Sequence, residues 1–539
     1  MRIRLLLGDE ALAQAAIDAG IGGAFSYPGT PATEIFEYIL DGPARTGEIS
    51  ARWSANEKVA YEEALGMSYA GRRALVSMKH VGLNVAADPF VNSALTGVNG
   101  GLVLAVADDP GMHSSQNEQD SRFFGEFAQI PVFEPSTQQE TYDLTLRAFD
   151  YSEQVGLPVM IRLVTRLSHS RANVAVRPPE GAPRDAEPRP LPNPNDWTLV
   201  PVNARRRFQR LLELQKRLLE DSQTLSLNEL SLAGPRGVIA SGLAHNYVRE
   251  ALNGGGEVSL LKITHYPLPT DMIRQLVDHC EEILVAEEGY PFIERRLNGL
   301  LGVPGKAIRG KLTGDLPLMG ELTPEALSHA LGRPAARATT PIGDLAARPP
   351  QLCRGCPHAD SFKAIVEATT SYAQPILFSD IGCYTLGVMP PYRAVHSCVD
   401  MGASIAMAHG AAQAGARPVL CTIGDSTFAH SGLTPLIGAA RGNADMTVFI
   451  LDNSTVAMTG AQETLTSGER LIEVLRGLGV DDDHLHVISP LASKHAENVE
   501  LIKDEIEHPG LSVIIASRAC IHLKRKQHET EPAAVGATS

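Results

Sequence analysis

The chain has 539 residues, 44% of them hydrophobic and 20% charged, with a formal net charge of −15. This is the composition of a globular protein of roughly three domains and excludes fibrous and disordered classes. The acidic balance argues against nucleic acid as a partner, because nucleic acid selects basic faces, and no apolar run approaches the ~18 residues of a membrane span.

The opening MRIRLLLGDEALAQAAIDAG runs into an amphipathic helix with Asp9 and Glu10 in its first turn. No small-residue cleavage site follows an apolar core, so a cytoplasmic protein is expected. Over residues 1–172, short apolar strands at 74–78, 102–107 and 158–163 alternate with helical stretches such as 57–70. This is the pattern of an α/β layer with a mostly parallel sheet. Residues 173–233 turn Pro- and Arg-rich and then become a charged helix, ARRRFQRLLELQKRLLEDSQ, read as a linker and a solvated crossover helix. A second α/β unit follows at 234–335, with strands GVIAS, SLLKI and EILVAEE and no reactive constellation. A linker at 336–349 leads to a third block at 350–523, and residues 524–539 lack an apolar period and are expected to be disordered. The fold class is therefore α/β, with mostly parallel open sheets covered by helices.

The third block carries the most chemistry. One apolar strand, 418–423, ends in Gly424-Asp425, and another, 446–451, ends in Asp452-Asn453, 28 positions beyond Asp425. Ligand sites of open α/β sheets lie at the carboxyl ends of strands, and Mg²⁺ prefers hard oxygen ligands and often holds a diphosphate. Asp425, the Asn453 amide and a backbone carbonyl near Thr455 suit that role. The blander reading makes Asp425 a helix cap and Asn453 a turn residue.

Seven cysteines are too few for a disulfide framework in an intracellular chain and point to metal or redox use. Cys353 and Cys356 form a CxxC ahead of a helix, Cys383 closes a probable strand, and Cys520 closes the last one. A Cys₄ set suits zinc or a 4Fe-4S cluster. The third and fourth thiols are isolated, unlike paired zinc knuckles, and this leans towards the cluster; a redox dithiol is a third option. Cys280, Cys398 and Cys421 read as core residues.

The segments LCRGCPH, DIGCYTLG, MGASIAMAHG, GDSTFAHSG and LDNSTVAMTG, with YPGTP, WSANEKVA, MKHVGLNVAADP and VADDPGMHSSQNEQDSR near the start, resemble the large (alpha) subunits of indolepyruvate:ferredoxin oxidoreductases. The likeness covers nearly the whole chain. It implies thiamine diphosphate, Mg²⁺ and one 4Fe-4S cluster as cofactors. The reaction implied is oxidative decarboxylation of a 2-oxoacid to an acyl-coenzyme A, with ferredoxin or a similar carrier as acceptor. A pyrimidine-binding domain, a transketolase-C-like domain and a diphosphate-binding domain are the implied architecture.

By the same resemblance Glu57 matches the carboxylate that protonates the coenzyme's pyrimidine ring, and Thr30 and Arg122 match substrate contacts. Arg suits a carboxylate through its planar fork. Gly402, Gly424, Asp425, Ser426, Asn453 and Thr455 match the diphosphate and metal positions, although Ser426 and Ser454 depart from the GDG and NN of the thiamine signature. Lys79, His80, His113 and His430 rank below these, as polar donors or as hydrogen-bonded structural residues. Cys353, Cys356, Cys383 and Cys520 match the proximal cluster ligands.

One departure stands out: the family's large subunit continues into a ferredoxin-like domain, whereas 19 residues without cysteine follow Cys520. A single cluster, a separate small (beta) subunit serving coenzyme A and a hetero-oligomer are the resulting expectations. A non-oxidative decarboxylase or a zinc-stabilised silent subunit are the alternatives; retention of the four cysteines, and of Glu57 with Asp425, counts against each in turn.

Overall fold

The computed structural model describes residues 2–177, 193–253, 257–334 and 349–523. The Pro-rich stretch, nearly all of the 336–349 linker and the 524–539 tail lie outside the described residues. The chain divides into two compact units, Met1–Pro341 and Ile342–Ser539.

In the first unit a seven-stranded sheet runs in the order His265–Tyr266, Val132–Phe133, Val159–Val164, Leu102–Asp108, Ala74–Lys79, Gly23–Ser26, Ser50–Trp53. All its pairs are parallel except the first. The strands Leu102–Asp108 and Ala74–Lys79 are buried along their whole length, which is why they read as continuous apolar runs rather than alternating ones. A second, five-stranded sheet orders Ala307–Arg309, Glu282–Ala286, Arg236–Ser241, Val258–Ile263 and Glu229–Ser231. The two sequence regions that supply these sheets are joined: His265–Tyr266, from the later one, pairs with Val132–Phe133 of the earlier one.

Two local features go beyond the sequence reading. Arg2–Leu7 is a strand paired antiparallel with Arg171–Val176, ahead of the helix Gly8–Asp18. The crossover helix Pro201–Thr224 is polar and largely exposed, yet Arg207, Leu211 and Leu218 are buried in it. Arg207 donates to the carbonyls of Leu95 and Thr96, both at 2.7 Å, closing off a helix end of the first sheet's layer.

The second unit is a six-stranded, all-parallel sheet in the order Ser397–Cys398, Ile376–Ser379, Val419–Gly424, Met446–Asp452, Leu511–Ser517, Leu485–Ile488. Alternate residues of its central strand enter different cores: Val448 and Ile450 pack with Ile405, Phe428 and Leu471, whereas Phe449 and Leu451 pack with Phe362, Ile365 and Ile502. That is the period-two alternation of a strand covered on both faces. With both faces sealed, the loops at the carboxyl edge are left to carry chemistry. Among the described residues no helix is long and apolar enough to cross a membrane.

Candidate functional site

In the second unit the strands Val419–Gly424 and Met446–Asp452 are parallel neighbours with Gly424 in register with Leu451. Asp425 and Asn453 therefore leave the sheet side by side at one edge. Asp425 opens a short helical turn that passes into a π-helical turn at Phe428–Gly432, a feature frequent at functional sites. Its side chain is buried, and Oδ2 has no hydrogen-bond partner. Burial first, and Asp452 second, push its carboxyl well above the usual range. A buried acid with an orphan oxygen beside another acid is costly without a cation and becomes a strong ligand with one. Its donor chemistry therefore fits a hard divalent ion.

The neighbouring loop is built tightly. Asp452 accepts from the Ser454 and Gly468 N–H groups, each at 3.0 Å, and from the Ser517 hydroxyl at 3.2 Å. Ser454 is held at φ 61, a left-handed conformation uncommon outside glycine and asparagine and concentrated at functional loops. Asn453 Oδ1 accepts from Thr455 N–H at 3.3 Å, and Asn453 Nδ2 lies 3.3 Å from His358 Nε2. Burial pushes His358 down to about 4, so its ring is neutral and able to accept. The Thr455 hydroxyl donates to Gln462 O at 2.9 Å, and the Thr466 hydroxyl donates to Asp425 O at 3.0 Å.

Gly402 lies at φ 94, and a Cβ there would come 2.4 Å from Ser431 Cβ. Glycine is required at that position. Its N–H, with the N–H and hydroxyl of Ser404, is taken by Asp380, so an acid already caps the helix Ala403–Gln413. A Cβ on Gly424 would stand 2.7 Å from the Tyr384 ring. Ser426 follows Asp425 in the same turn. His430 is buried with Nδ1 2.7 Å from the Ser431 hydroxyl.

The four thiols gather beside this loop. Cys353 is exposed, Cys356 and Cys520 are buried and Cys383 is half-buried. The Cys383 thiol is pushed up to about 12, first by burial and then by the thiols of Cys356, Cys520 and Cys353, which lie near enough to act on it. Cys520 N–H donates to Asn453 O at 3.0 Å, and Arg518 N–H donates to Asp452 O at 3.0 Å. Thiol loop and acid loop are thereby stitched together by backbone. Cys383 opens a 3₁₀ turn, Cys383–Val388, rather than closing the strand Ile376–Ser379: the Gly382 beside it lets the chain pass against Tyr384, where a Cβ would stand 2.4 Å from the ring.

In the first unit Glu57 begins the helix Glu57–Tyr69, whose cap Asn56 accepts from Val59 N–H at 2.9 Å. Glu57 is 6% exposed, and a Cβ on Gly82 would fall 2.7 Å from its Oε1; the carboxylate lies in a glycine-floored cradle. Lys79 is buried nearby, donates to Ser114 O at 2.6 Å, and is pushed down to about 8 by burial, against the pull of Asp109 and Glu57. The Ser114 hydroxyl donates to Thr30 O at 3.0 Å. Glu57, Lys79 and Thr30 are thus brought together. His80 is buried, with Nε2 3.2 Å from Asn117 O and Nδ1 without a partner. His113 is mostly exposed and lies 3.3 Å from Glu321.

Arg122, matched by resemblance to a substrate contact, lies inside the unit rather than at its surface. It is 1% exposed and pairs with Asp120 and, at 2.9 Å, with Glu287. It also donates to the carbonyls of Glu288 and Tyr290, each at 3.0 Å. Arg162 extends the network to Asp108 at 2.6 Å and to Glu134. In this arrangement the Arg122 guanidinium ties the two sheets of the unit together.

The sequence reading passed over Asp452, His358 and Asp380. The signal for Asp452 was present, an acid directly before Asn453 at a strand end. His358 and Asp380 stand in the segments LCRGCPH and DIGCYTLG, but their contacts come from chain segments brought together by the sheet.

The chain resembles known proteins over both units. Residues 14–209 match the family described as pyruvate flavodoxin/ferredoxin oxidoreductase, thiamine diphosphate-binding, and residues 380–515 match the thiamine pyrophosphate enzyme C-terminal binding domain. The indolepyruvate oxidoreductase subunit IorA of Archaeoglobus fulgidus is 38% identical over 98% of this chain and 88% of its own length. The IorA of Methanothermobacter thermautotrophicus is 38% identical over 96% and 86%. Among solved structures, a 2-oxoglutarate:ferredoxin oxidoreductase from Magnetococcus marinus superposes with a TM-score of 0.50 at 16% identity, covering 61% of this chain and 65% of that one. It supports the fold.

Proposed function

The chain belongs to the IorA family of indolepyruvate oxidoreductase subunits, thiamine diphosphate-dependent 2-oxoacid:ferredoxin oxidoreductases, and from that premise we propose the finer reaction. An aryl pyruvate such as indolepyruvate is oxidatively decarboxylated to its acyl-coenzyme A, and the electron pair leaves through one 4Fe-4S cluster to ferredoxin or a similar acceptor. The observation that carries this reading is the stitch between two loops: the Asp425 carboxyl, its Oδ2 unpartnered, beside Asn453, and the Cys520 N–H donating to Asn453 O at 3.0 Å.

Thiamine diphosphate, when bound, supplies the electron sink for loss of carbon dioxide. Asp425, Asn453 and the Thr455 backbone would hold Mg²⁺ and through it the diphosphate, with Gly424, Ser426 and Gly402 keeping the backbone close. Glu57 would hold a proton at the pyrimidine ring, its buried carboxylate kept from water by Gly82. Lys79 and His80 would steady developing negative charge as donors. Thr30 would contact the substrate. Arg122 would serve that contact through the network it anchors rather than by direct reach.

Cys353, Cys356, Cys383 and Cys520 would hold the cluster. A tetrahedral zinc site with Zn–S bonds of about 2.3 Å sets its sulfurs about 3.8 Å apart, whereas among the described residues no three of these thiols lie within 4.8 Å of one another. Wider spacing favours the larger group. A small (beta) subunit would complete the coenzyme A step, making the working enzyme a cytoplasmic hetero-oligomer.

Co-expression with the small subunit under anaerobic conditions, then a screen of 2-oxoacids with coenzyme A and a low-potential acceptor, tests the reading. Coenzyme A-dependent reduction by aryl pyruvates is expected; reduction by aliphatic 2-oxoacids alone would overturn the substrate class. Iron and sulfide in equal amount are expected, and zinc without sulfide would remove the cluster. Glu57→Gln should lower turnover by at least ~100-fold while Mg²⁺-dependent coenzyme binding persists. Unchanged turnover would take Glu57 out of the proton path.

A further inference from the structure

Away from the elements assigned above, three helix ends of the first unit bring Asp9, Glu34 and His169 together. One ligand atom from each lies within 4.8 Å of the other two. Asp9 is the second residue of the helix Gly8–Asp18, Glu34 the second of Thr33–Asp41, and His169 the last of Thr165–His169. The approach depends on Gly8, where a Cβ would stand 2.2 Å from Leu167 O. The glycine lets the first helix start directly against the backbone of the third.

The second, independent observation is Asp9 itself. It is 0% exposed, and neither carboxylate oxygen has a partner at hydrogen-bond geometry; the Ser168 hydroxyl, the nearest donor, is buried and unpartnered too. Buried polar atoms in folded proteins are nearly always satisfied, and orphans call for a missing water or ion. Burial pushes the Asp9 carboxyl up to about 8, against the Ser168 hydroxyl beside it, and a contact with that one hydroxyl serves a single oxygen and leaves the other without a partner. An exposed Glu34–His169 ion pair, 3.3 Å apart, explains two of the residues and leaves the third without a role.

We propose that Asp9, Glu34 and His169 bind a divalent first-row transition ion, of which zinc is the natural probe. Two carboxylates and one imidazole suit zinc and its neighbours better than calcium or magnesium, which favour all-oxygen shells. Ligand bonds of about 2.0–2.1 Å in tetrahedral geometry put neighbouring donor atoms about 3.3 Å apart, the Glu34–His169 separation found here. Glu34 and His169 have side chains about one-third exposed, which leaves an entry path and an open fourth position for water. The ion would pin the starts of two helices to the end of a third.

The proposal does not depend on the thiamine reaction, and its test does not read activity. The full chain, purified anaerobically with its cysteine site filled with iron and then dialysed against micromolar zinc, should carry about one zinc more than His169→Ala or Glu34→Gln under the same conditions. Both positions are partly exposed, so both variants should fold. Anomalous diffraction at the zinc edge should give a peak among the three side chains, and zinc should raise Tm by several degrees in the wild type and in neither variant. Equal zinc counts in wild type and both variants, or no anomalous peak among the three residues, would overturn the site.

Discussion

In the N-terminal unit Asp108, Asp120, Glu134 and Glu287 surround the guanidiniums of Arg122 and Arg162, whereas in the C-terminal unit Asp380, Asp425 and Asp452 stand at strand ends with N–H and O–H donors around them. Asp425 keeps an oxygen with no partner. Both sets are buried. In the first every acid contacts a guanidinium, although Asp108 Oδ1 is also without a partner, and the attraction is spent on joining two sheets. The second is left electrically incomplete, which is a penalty for the protein alone and an affinity for a cation. Buried acids by themselves therefore do not mark a site; the test is whether the protein supplies their countercharge.

The largest effect expected from breaking that contrast comes at Arg122. Arg122→Met should destabilise the first unit by about 3–5 kcal/mol, the usual result of leaving one side of a buried pair uncompensated, measured as a lower urea midpoint. A variant with wild-type stability that lost only substrate affinity would return Arg122 to the substrate pocket and dissolve the distinction.

Acid should come next. His265 in the first unit is pushed down to about 3 and His358 in the second to about 4, each mainly by burial. The unfolded chain takes up these protons near 6.5 and the folded chain only near the lower values. The unfolded state thus binds more protons within that window, and stability falls as pH drops from about 6.5 towards 4. The loss is on the order of 3 kcal/mol for His358. Hydrogen exchange of the central strands of each unit against pH would follow it; protection constant from pH 7 to 4.5 would contradict the buried neutral rings.

The smallest effect carries the opposite sign in the two states of the second unit. Asp425→Asn replaces a buried carboxyl whose ionised form is penalised, so the apo protein should gain about 1–2 kcal/mol or stay level, while Mg²⁺-dependent thiamine diphosphate affinity falls at least ~10-fold. Calorimetry of apo and loaded protein separates the two. Loss of apo stability with unchanged coenzyme affinity would make Asp425 a structural acid like Asp120.

Much of this was legible without coordinates. The strands at 74–79, 102–108 and 446–452 are mostly apolar, and Asp425 and Asn453 each come one residue after an apolar run, so their meeting at one sheet edge needed only parallel pairing. The role of Arg122 was not legible, because Glu287, Glu288 and Tyr290 lie more than 160 positions away and reach it only when the second sheet docks on the first. The N-terminal strand was missed for a related reason: RIRLLL acquires its ladder from residues 171–176, a pairing with no local signature.

The sequence by itself determined the α/β class, the strand-end placement of Asp425 and Asn453 and the likeness to thiamine-dependent oxidoreductases, because periodicity and short motifs are local properties of the chain. Tertiary structure alone decided which buried charges are neutralised: Asp120 receives Arg122, Asp425 receives no cation among the described residues, and Asp9 is turned inward with both oxygens unpartnered. Electrostatic partnership depends on distances of a few ångströms between segments remote in sequence, and those distances exist only after the sheets have closed.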